Sequence, residues 1–381
     1  METNSIDIQL SPRETVVRTI GKWINKGVLP ADSAMPSEDE LARQLNVSRG
    51  TVRTGLDLLE KRGLLYKQNR RRYVSEQHDR SYKASPLHQT VLLLGVNSDN
   101  PIEFKDTGFL QAVQAGALDA LSSTGAHALS LHADKLNRES LKNLLEMKPR
   151  GAVLFQDFLK TPEGVETAYC ISSSGIPVVI DHESSELDKF DRVCFDHVSA
   201  NYNLTKYFID RGLKNILCLY PKDGWFWLKA KYNGYLKAVN EAGLQPMPPV
   251  NTSEKPEYQR TRENFDEYVR LYAGFMVEHF TGKRQPQVIL ASSDWDVPVI
   301  ASACRLFGKE PGKDIMIGGY DNKVATNPWY EFDQTPPCVT VEKNNTGIGR
   351  KMIQLLDRRI NGELPDIPVK IEVSGKLIIL Q

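Results

Sequence analysis

Two arginines spaced four residues apart, Arg49 and Arg53, give the first indication of chemistry in this chain. Residues at this spacing share one side of a helix, and guanidinium groups placed there can donate to phosphates and to base edges. The neighbouring hydroxyl groups of Ser48 and Thr51 could add phosphate contacts. On an arbitrary helix, the same two arginines would more often be an ordinary solvated face. The surrounding elements decide between these alternatives.

The residues around the arginines predict two short helices joined by a tight turn. Ser37 precedes Glu40 by three residues, the spacing of a capping box, so we expect a helix to begin near Glu38. Ser48 is a second good N-cap, and Gly63 is expected to end the longer helix that follows it. Two helices with a short turn between them are typical of a helix-turn-helix.

A basic hairpin is predicted directly after the second helix. Residues 64–66 and 73–74 are apolar and predict two strands, and the turn between them contains Arg70, Arg71 and Arg72. Cations on such a hairpin could reach phosphates or the minor groove, with an affinity that depends strongly on salt. A basic hairpin alone would be weak evidence, but after a helix-turn-helix it indicates a wing.

The stretch PSEDELARQLNVSRGTVRTGLDLLEKRGLLY resembles the head of the GntR class of bacterial regulators, over about residues 11–75. The resemblance implies a winged helix-turn-helix for operator DNA, with Arg49 and Arg53 at the family's DNA-contacting positions. Two departures are visible: Asp39 replaces a basic residue often found there, and residues 68–72 replace a glycine-rich wing tip. The candidate DNA contacts are Ser37, Ser48, Arg49, Thr51, Arg53, Arg70, Arg71 and Arg72.

Two further features belong to the predicted head. Residues 11–27 carry apolar side chains at helical spacing, which predicts a first helix that supports the motif. Gly55 lies inside the predicted recognition helix, where glycine costs about 1 kcal/mol relative to alanine. Close approach of another backbone is the one physical reason that we expect for it.

Length and composition describe a folded protein of two or three domains, with 381 residues of which 40% are hydrophobic. The net charge is zero, but residues 1–75 carry 13 Lys or Arg against 9 Asp or Glu, and the remainder carries 35 against 39. A basic head on an acidic body fits nucleic-acid contact at one end only. Five scattered cysteines predict buried free thiols in a reducing cytoplasm. We expect no export signal and no membrane contact, because no long apolar run occurs.

From residue 91 the sequence alternates apolar strands with amphipathic helices, and the pattern restarts with RVCFD at 192–196. This alternation predicts parallel sheets covered on both faces, hence an α/β fold class. The expected organisation is a winged helix-turn-helix followed by a linker and a two-lobed, doubly wound α/β core. Its boundaries are 1–75 for the head, 76–90 for the linker, about 91–193 and 343–362 for lobe 1, and about 197–335 and 366–381 for lobe 2.

Four separated stretches resemble, in family order, the regulatory core of the LacI family and the periplasmic sugar-binding proteins. They are DHVSANYNLTKYFIDRGLKNILCLYP, KYNGYLKAVNEAGL, QVILASSDWDVPVIASACRLFGKEPGKDIMIGGYDN and TPPCVTVEKNNTGIGRKMIQLL. The resemblance spans roughly 90–381 and implies a two-lobed core with a small molecule, a sugar above all, in the cleft and three crossover segments as a hinge. A GntR head on such a core is the arrangement of the arabinose-repressor type.

Polar residues that follow apolar strands are the candidate ligand contacts, because ligands of open α/β sheets bind beyond the carboxyl ends of the strands. By resemblance, Asp181 and Asp321 fall where a carboxylate or amide takes sugar hydroxyls. Lys231 stands where the family usually has a ligand-binding arginine, and lysine keeps the charge but loses the fork that grips two oxygens. Taken singly, a carboxylate at a strand end is more often a helix cap or a loop residue.

Three more candidates are carried over by resemblance. Ser293 occupies the place of the family's ligand-binding asparagine, Asp294 matches the aspartate beside it, and Lys343 stands where many members have glutamine. The aromatic stretch Trp225-Phe226-Trp227, predicted to lie in a loop, and the weaker candidate Phe104 could form a stacking platform for a sugar. Packing in a core or interface is the alternative for them. The isolated His182 and His197 lack metal spacing and are expected to be structural.

The leading hypothesis is a homodimeric transcriptional regulator whose affinity for double-stranded operator DNA responds to a small molecule, expected to be a monosaccharide. A transport-type sugar-binding protein is a second hypothesis, which the fused head opposes. An α/β enzyme is a third, although no G-x-S-x-G elbow, P-loop, dinucleotide fingerprint or H-E-x-x-H motif occurs. We therefore expect no catalytic activity, no metal and no cofactor.

Overall fold

A computed structural model of the protein describes residues 11–25, 27–61, 63–75, 87–95, 108–132, 136–221, 226–252 and 261–381. Phe104, Trp225 and most of the predicted linker lie outside these residues. The described chain divides into two compact units. Unit 1 contains the residues up to 194 together with 345–371, and unit 2 contains 195–344 together with 372–381.

Three helices form the head, as the sequence predicts. They are α1 (Pro12–Asn25), α2 (Glu38–Leu45) and α3 (Arg49–Lys61). The capping box before α2 is confirmed: the hydroxyl of Ser37 accepts from the amide of Glu40, whose carboxylate accepts from the amide of Ser37. The apolar faces of the three helices meet in one buried core.

The predicted wing is also present. Strand β1 (Leu65–Gln68) pairs antiparallel with β2 (Arg71–Val74). The two turn residues, Asn69 and Arg70, have φ angles of 46° and 65°. Two successive positive φ angles are the backbone pattern of a type I′ hairpin turn, which favours glycine. The wing therefore closes without the glycines expected from the resemblance.

Gly55 is explained by the packing of α1 on α3. A β-carbon at this position would lie 2.7 Å from Cγ1 of Val16 and 3.6 Å from the carbonyl oxygen of Arg13. Any side chain at residue 55 would push the two helices apart, since both contacts belong to α1. Close approach of a neighbouring helix is thus the reason for the glycine.

The first sheet has six strands. They are β3 (Thr90–Gly95), β4 (His127–His132), β5 (Gly151–Leu154), β6 (Val178–Ile180), β7 (Asp191–Phe195) and β13 (Lys370–Val373). Their spatial order is β13-β7-β6-β5-β3-β4, and β3 to β7 pair in parallel. The helices that follow β3, β4 and β5 are α4 (Gly108–Ser122), α5 (Arg138–Glu146) and α6 (Pro162–Ser173). Because β3, β5 and β6 are buried along their whole length, both faces of the sheet are covered.

The second sheet repeats the same doubly wound plan. Its strands are β8 (Ile216–Pro221), β9 (Val250–Thr252), β10 (Val288–Ala291), β11 (Met316–Tyr320), β12 (Val339–Glu342) and β14 (Lys376–Ile379). The order is β14-β12-β11-β10-β8-β9, with only β14 running antiparallel to its neighbour. The accompanying helices are α7 (His197–Ile209), α8 (Phe226–Glu241), α9 (Arg262–Thr281) and α10 (Val297–Leu306). The helix that follows β12, α11 (Asn345–Ile360), belongs to unit 1 and packs against α4.

Two strands lie in a different sheet from the one predicted. The stretch RVCFD, expected to open the second lobe, forms β7 and pairs with β6 of the first sheet. Between these strands lies only a short 3-10 turn, Ser185–Leu187, so the lack of a crossover helix there was the available sign. Strand β13, expected in lobe 2, lies next to β7. An apolar strand pattern does not reveal which sheet the strand joins.

All five cysteines are free thiols, and four of them are buried as predicted. Cys170 is exposed, contrary to the prediction, because α6 turns Ala168 and Ile171 inward and leaves Cys170 on its outer side. No described helix has both the length and the apolar character needed to cross a membrane. Within the described residues, no group of three or more His, Cys, Asp or Glu could hold a metal ion.

Candidate nucleic-acid interface and ligand cluster

The two recognition-helix arginines lie at the surface of the head and share one carboxylate. The side chains of Arg49 and Arg53 are 59% and 55% exposed. Nη2 of Arg53 is 2.8 Å from Oε2 of Glu38, and Nε of Arg49 is 3.3 Å from the same oxygen. The hydrogen bond from Arg53 and, after it, those from Arg49 and Arg72 hold the pKa of Glu38 at about 2. The arginines are therefore oriented by a permanently charged partner.

Arg72 does not extend toward solvent, which corrects the prediction for the wing. Its side chain is only 12% exposed and donates to Glu38 and Glu60, each at 3.2 Å. Residues alternate between the two faces of a strand, so Arg72 lies on the same face as the buried Val74. Arg72 thus fastens the wing to α2 and α3, and the same alternation in the sequence could have predicted it.

The remaining head candidates are exposed or serve as helix caps. Arg70 and Arg71 are exposed at the hairpin turn. The hydroxyl of Ser48 accepts from the amide of Thr51 at 3.1 Å and lies 2.7 Å from its hydroxyl. Ser37 caps α2 in the same way. Their primary role in the folded head is to satisfy helix amides, and phosphate contact by these hydroxyls stays a prediction.

In unit 2, polar residues that follow β10, β11 and β12 come together. Oδ1 of Asp321 is 2.6 Å from Nζ of Lys343, and its Oδ2 accepts from the hydroxyl of Ser293 at 3.0 Å. Burial alone would raise the pKa of Asp321, but Lys343 and Lys231 outweigh that effect and hold the pKa below its ordinary value. Three predicted ligand contacts, one acid, one amine and one hydroxyl, are thus adjacent.

Lys231 lies buried beside this group. The residue is 2% exposed, and its Nζ donates to the carbonyl oxygen of Ser292 at 2.7 Å. The same nitrogen is 3.3 Å from the ring centroid of Tyr320 and 4.7 Å from that of Trp227. Aromatic faces attract a cation and offset part of the cost of burying it. Trp227 itself is in the first turn of α8, not in a loop as predicted.

Asp294 has a different environment from the one predicted for a ligand contact. The residue is fully buried, and its carboxylate accepts from the amides of Tyr320 and Lys323 at 2.7 and 2.8 Å and from the hydroxyl of Thr340 at 2.9 Å. A β-carbon at Gly319 would collide with this carboxylate. Burial outweighs the donors and raises the pKa of Asp294 to about 7. Asp294 therefore ties the ends of the strands together instead of offering oxygens to a ligand.

Three residues of the head and of the unit 2 cluster are not predicted from the sequence, or are predicted only in a lesser role: Glu38, His197 and Tyr320. Nδ1 of His197 is 2.8 Å from the hydroxyl of Tyr320, and the two rings are stacked. Burial, with Lys231 and Lys343 nearby, lowers the pKa of His197 well below its ordinary value, so the imidazole is neutral. The available signal for Tyr320 was its position at the end of a buried strand. For Glu38 the sequence predicts only that a helix begins there.

In unit 1, Asp181 directly follows β6 and is buried. Its amide donates to the carbonyl oxygen of Leu154 at 2.9 Å. Next to it, Nδ1 of His182 accepts from the amide of Ser184 at 3.0 Å. Burial and, after it, the charge of Arg192 lower the pKa of His182 to about 4, in keeping with the expected structural role. Ligand contact by Asp181 stays a prediction.

Comparisons with known proteins match the two parts of the chain separately. Residues 12–74 match the bacterial regulatory proteins of the gntR family, and residues 205–379 match the periplasmic binding protein-like domain. The HTH-type transcriptional repressor PurR of Pasteurella multocida (strain Pm70) is 28% identical over 257 residues, which is 66% of this chain and 71% of that protein. An arabinose metabolism transcriptional repressor of Halalkalibacterium halodurans is 23% identical over 320 residues, 81% and 79% of the two chains.

A solved structure supports the fold. The transcriptional regulator CelR in complex with cellobiose superposes with a TM-score of 0.56 at 17% identity, covering 91% of this chain and 99% of that one. Both family matches agree with the winged head and the two doubly wound sheets described above. The chain therefore combines the two parts of a transcription regulator, a helix-turn-helix head of the gntR type at 12–74 and a periplasmic-binding-protein-like domain at 205–379.

Proposed function

We propose that this protein is a ligand-responsive repressor that binds operator DNA as a homodimer through α3 and the wing. The observation that carries the proposal is the exposed pair Arg49 and Arg53, held on one carboxylate of a gntR-type head. Exposed ion pairs contribute little net stability, so a base edge or phosphate can replace Glu38 as acceptor at small cost. The names of the PurR and arabinose relatives favour repression over activation.

The effector that we propose is a monosaccharide bound at the strand ends of unit 2. A sugar needs acceptors and donors for its hydroxyls and an apolar wall for its ring. Asp321, Lys343 and Ser293 offer the polar groups within hydrogen-bonding distance of one another, and the partly exposed ring of Trp227 lies near Lys231. The cellobiose in the CelR complex supports a saccharide ligand for this fold.

The proposal is tested on DNA and ligand together. Genomic fragments that the full chain binds would be selected, and their affinity measured with a panel of monosaccharides while thermal unfolding is recorded in parallel. We expect at least one sugar to raise the unfolding temperature, because it binds only the folded state, and to change operator affinity. Specific fragments with no response to any sugar would remove the effector assignment, and failure to select any fragment would remove the regulatory function.

A pair of variants locates the effector site. Asp321→Ala should abolish the sugar response and leave operator affinity unchanged, because the carboxylate belongs to unit 2 and the head to unit 1. Asp210→Ala is the matched control, since it removes a half-exposed carboxylate of the same unit that pairs only with Lys206 among the described ion pairs. A normal sugar response in Asp321→Ala would show that the site lies elsewhere.

A further inference from the structure

The head is docked on the rest of unit 1 through α1. Two of its side chains reach the loop of residues 361–369, the docking loop, which joins α11 to β13. Nζ of Lys22 is 2.8 Å from Oε1 of Glu363, and Nη2 of Arg13 is 3.7 Å from Oδ2 of Asp366. The two basic residues are nine positions apart, about two and a half helical turns, so they reach the loop from opposite flanks of α1.

Between these flanks, α1 comes close to the loop and to the recognition helix. A β-carbon on the buried Gly21 would lie 3.9 Å from the carbonyl oxygen of Asn361. On its other side, α1 places Val16 against the bare backbone of Gly55 in α3. Because Val16 of α1 packs directly on the backbone of Gly55, a displacement of α1 is passed to α3.

The docking loop is held firmly from its other end. Arg359 donates to the carbonyl oxygens of Pro365 and Ile367, and its guanidinium grips both carboxylate oxygens of Asp191 at 2.5 and 2.6 Å. The same carboxylate accepts from the amide of Val369 at 2.8 Å. Asp191 begins β7 and Val369 precedes β13, two segments in which the chain passes between unit 1 and unit 2.

We propose that the docking loop is the surface through which the core controls the position of the DNA-reading head. The ion pairs of α1 with Glu363 and Asp366 link α3 to the crossover strands β7 and β13, so a change at the crossovers is transmitted to the recognition helix. Both pairs are partly exposed, between 19% and 50% by side chain. Pairs of this kind are individually weak, and the contact can therefore open and close as a regulated contact must. The effect of the docking loop on operator affinity rests on the proposed DNA binding.

The docking itself is tested without DNA. A carbodiimide joins an amine to a carboxylate with no spacer, so it should link Lys22 to Glu363 in the full chain. Mass spectrometry of the digest should find the linked peptide in the wild type and lose it in the control variant Lys22→Gln. A wild-type digest without this link would overturn the docked arrangement.

The functional consequence is tested by exchanging charges. Lys22→Glu and Glu363→Lys should each weaken binding of fragments selected by the wild-type chain by about threefold or more, because an undocked head loses the fixed orientation that paired half-sites require. The double variant should recover affinity to within about twofold. As a control, Lys61→Glu makes the same charge change at an exposed end of α3, and Glu363→Lys should not rescue it.

The outcomes separate the two proposals. Single reversals that leave affinity unchanged, or a double variant no better than Lys22→Glu alone, would overturn the coupling role. A wild-type chain that selects no DNA would instead overturn the proposed function, and the crosslink would still decide whether α1 docks.

Discussion

The head and the unit 2 cluster both pair basic side chains with one carboxylate, but in opposite surroundings. Arg49 and Arg53 are more than half exposed around Glu38, whereas Lys231 and Lys343 are 2% and 15% exposed near Asp321. Water weakens exposed pairs, which exchange partners cheaply, but a buried charge that loses its partner costs several kcal/mol. The head can therefore pass its arginines to DNA, whereas the cluster can reorganise only for a ligand that replaces its internal bonds.

The largest effect should come from removing the exposed arginines. Arg49→Ala combined with Arg53→Ala should lower specific operator affinity by at least about 30-fold, since each good base contact is worth about 1–3 kcal/mol. Fluorescence anisotropy with the selected operator measures the loss, and the unfolding temperature should fall by no more than about a few degrees, because both side chains are exposed.

Two exposed lysines elsewhere in the head provide the control for the double arginine variant. Lys61→Ala with Lys67→Ala removes the same charge from α3 and β1. An equal loss of affinity in this control would mean that net charge, and not the face of the recognition helix, determines binding.

Among the buried groups of the unit 2 cluster, Asp294 is the one whose substitution should reduce stability most. Asp294→Ala should destabilise unit 2 by about 3 kcal/mol, because the amides of Tyr320 and Lys323 and the hydroxyl of Thr340 all lose their acceptor. Denaturant unfolding followed by circular dichroism measures this loss. Asp321→Ala, at the end of the neighbouring strand β11, should cost clearly less stability while removing the sugar response. The reverse ranking would show that the two aspartates have exchanged roles.

The sequence predicts the head better than the cluster because the head is encoded locally. The capping box at Ser37 and Glu40 spans three residues, and Gly63 ends α3 with a positive φ of 72° as expected. The errors in the head are the contacts between elements. Glu38 meets Arg49 and Arg53 across 11 and 15 residues, and no periodic pattern signals such a pair.

For the unit 2 cluster, the sequence predicts only which polar residues follow the strands, and not how their side chains are arranged. Asp294 follows β10 just as Asp321 follows β11, and the sequence shows no difference between the two carboxylates. The structure separates them through hydrogen bonds to residues 26 to 46 positions away, which bury one aspartate and leave the other beside Lys343. Relations over such distances depend on the order of strands in the sheet, which the sequence does not predict, and at β7 even the predicted sheet is wrong.

A smaller effect should appear in the pH dependence of the head. Arginine contacts hold the folded-state pKa of Glu38 at about 2, below its ordinary 4.5. Folding therefore favours the charged form, and this contribution is present above about pH 4.5 and is lost as the pH falls toward 2. Glu38→Gln should lower the unfolding temperature of the head by a few degrees at neutral pH. The difference between variant and wild type should disappear at the acidic end of this range. A difference that persists at low pH would show that Glu38 acts through packing and not through its charge.

The smallest effect distinguishes two arginines of one hairpin. Arg70 is exposed with a φ of 65°, which costs a residue with a side chain about 1 kcal/mol. Arg70→Gly should therefore raise head stability by up to that amount, and it should also reduce the salt dependence of operator binding by about one phosphate contact. Arg72→Gly should act in the opposite direction on stability, because that guanidinium is paired with Glu38 and Glu60. Denaturation midpoints and salt titrations of both variants test this. A loss of stability in Arg70→Gly would mean that the side chain at the turn has a structural partner. The wing would then not offer DNA a freely exposed arginine as the recognition helix does.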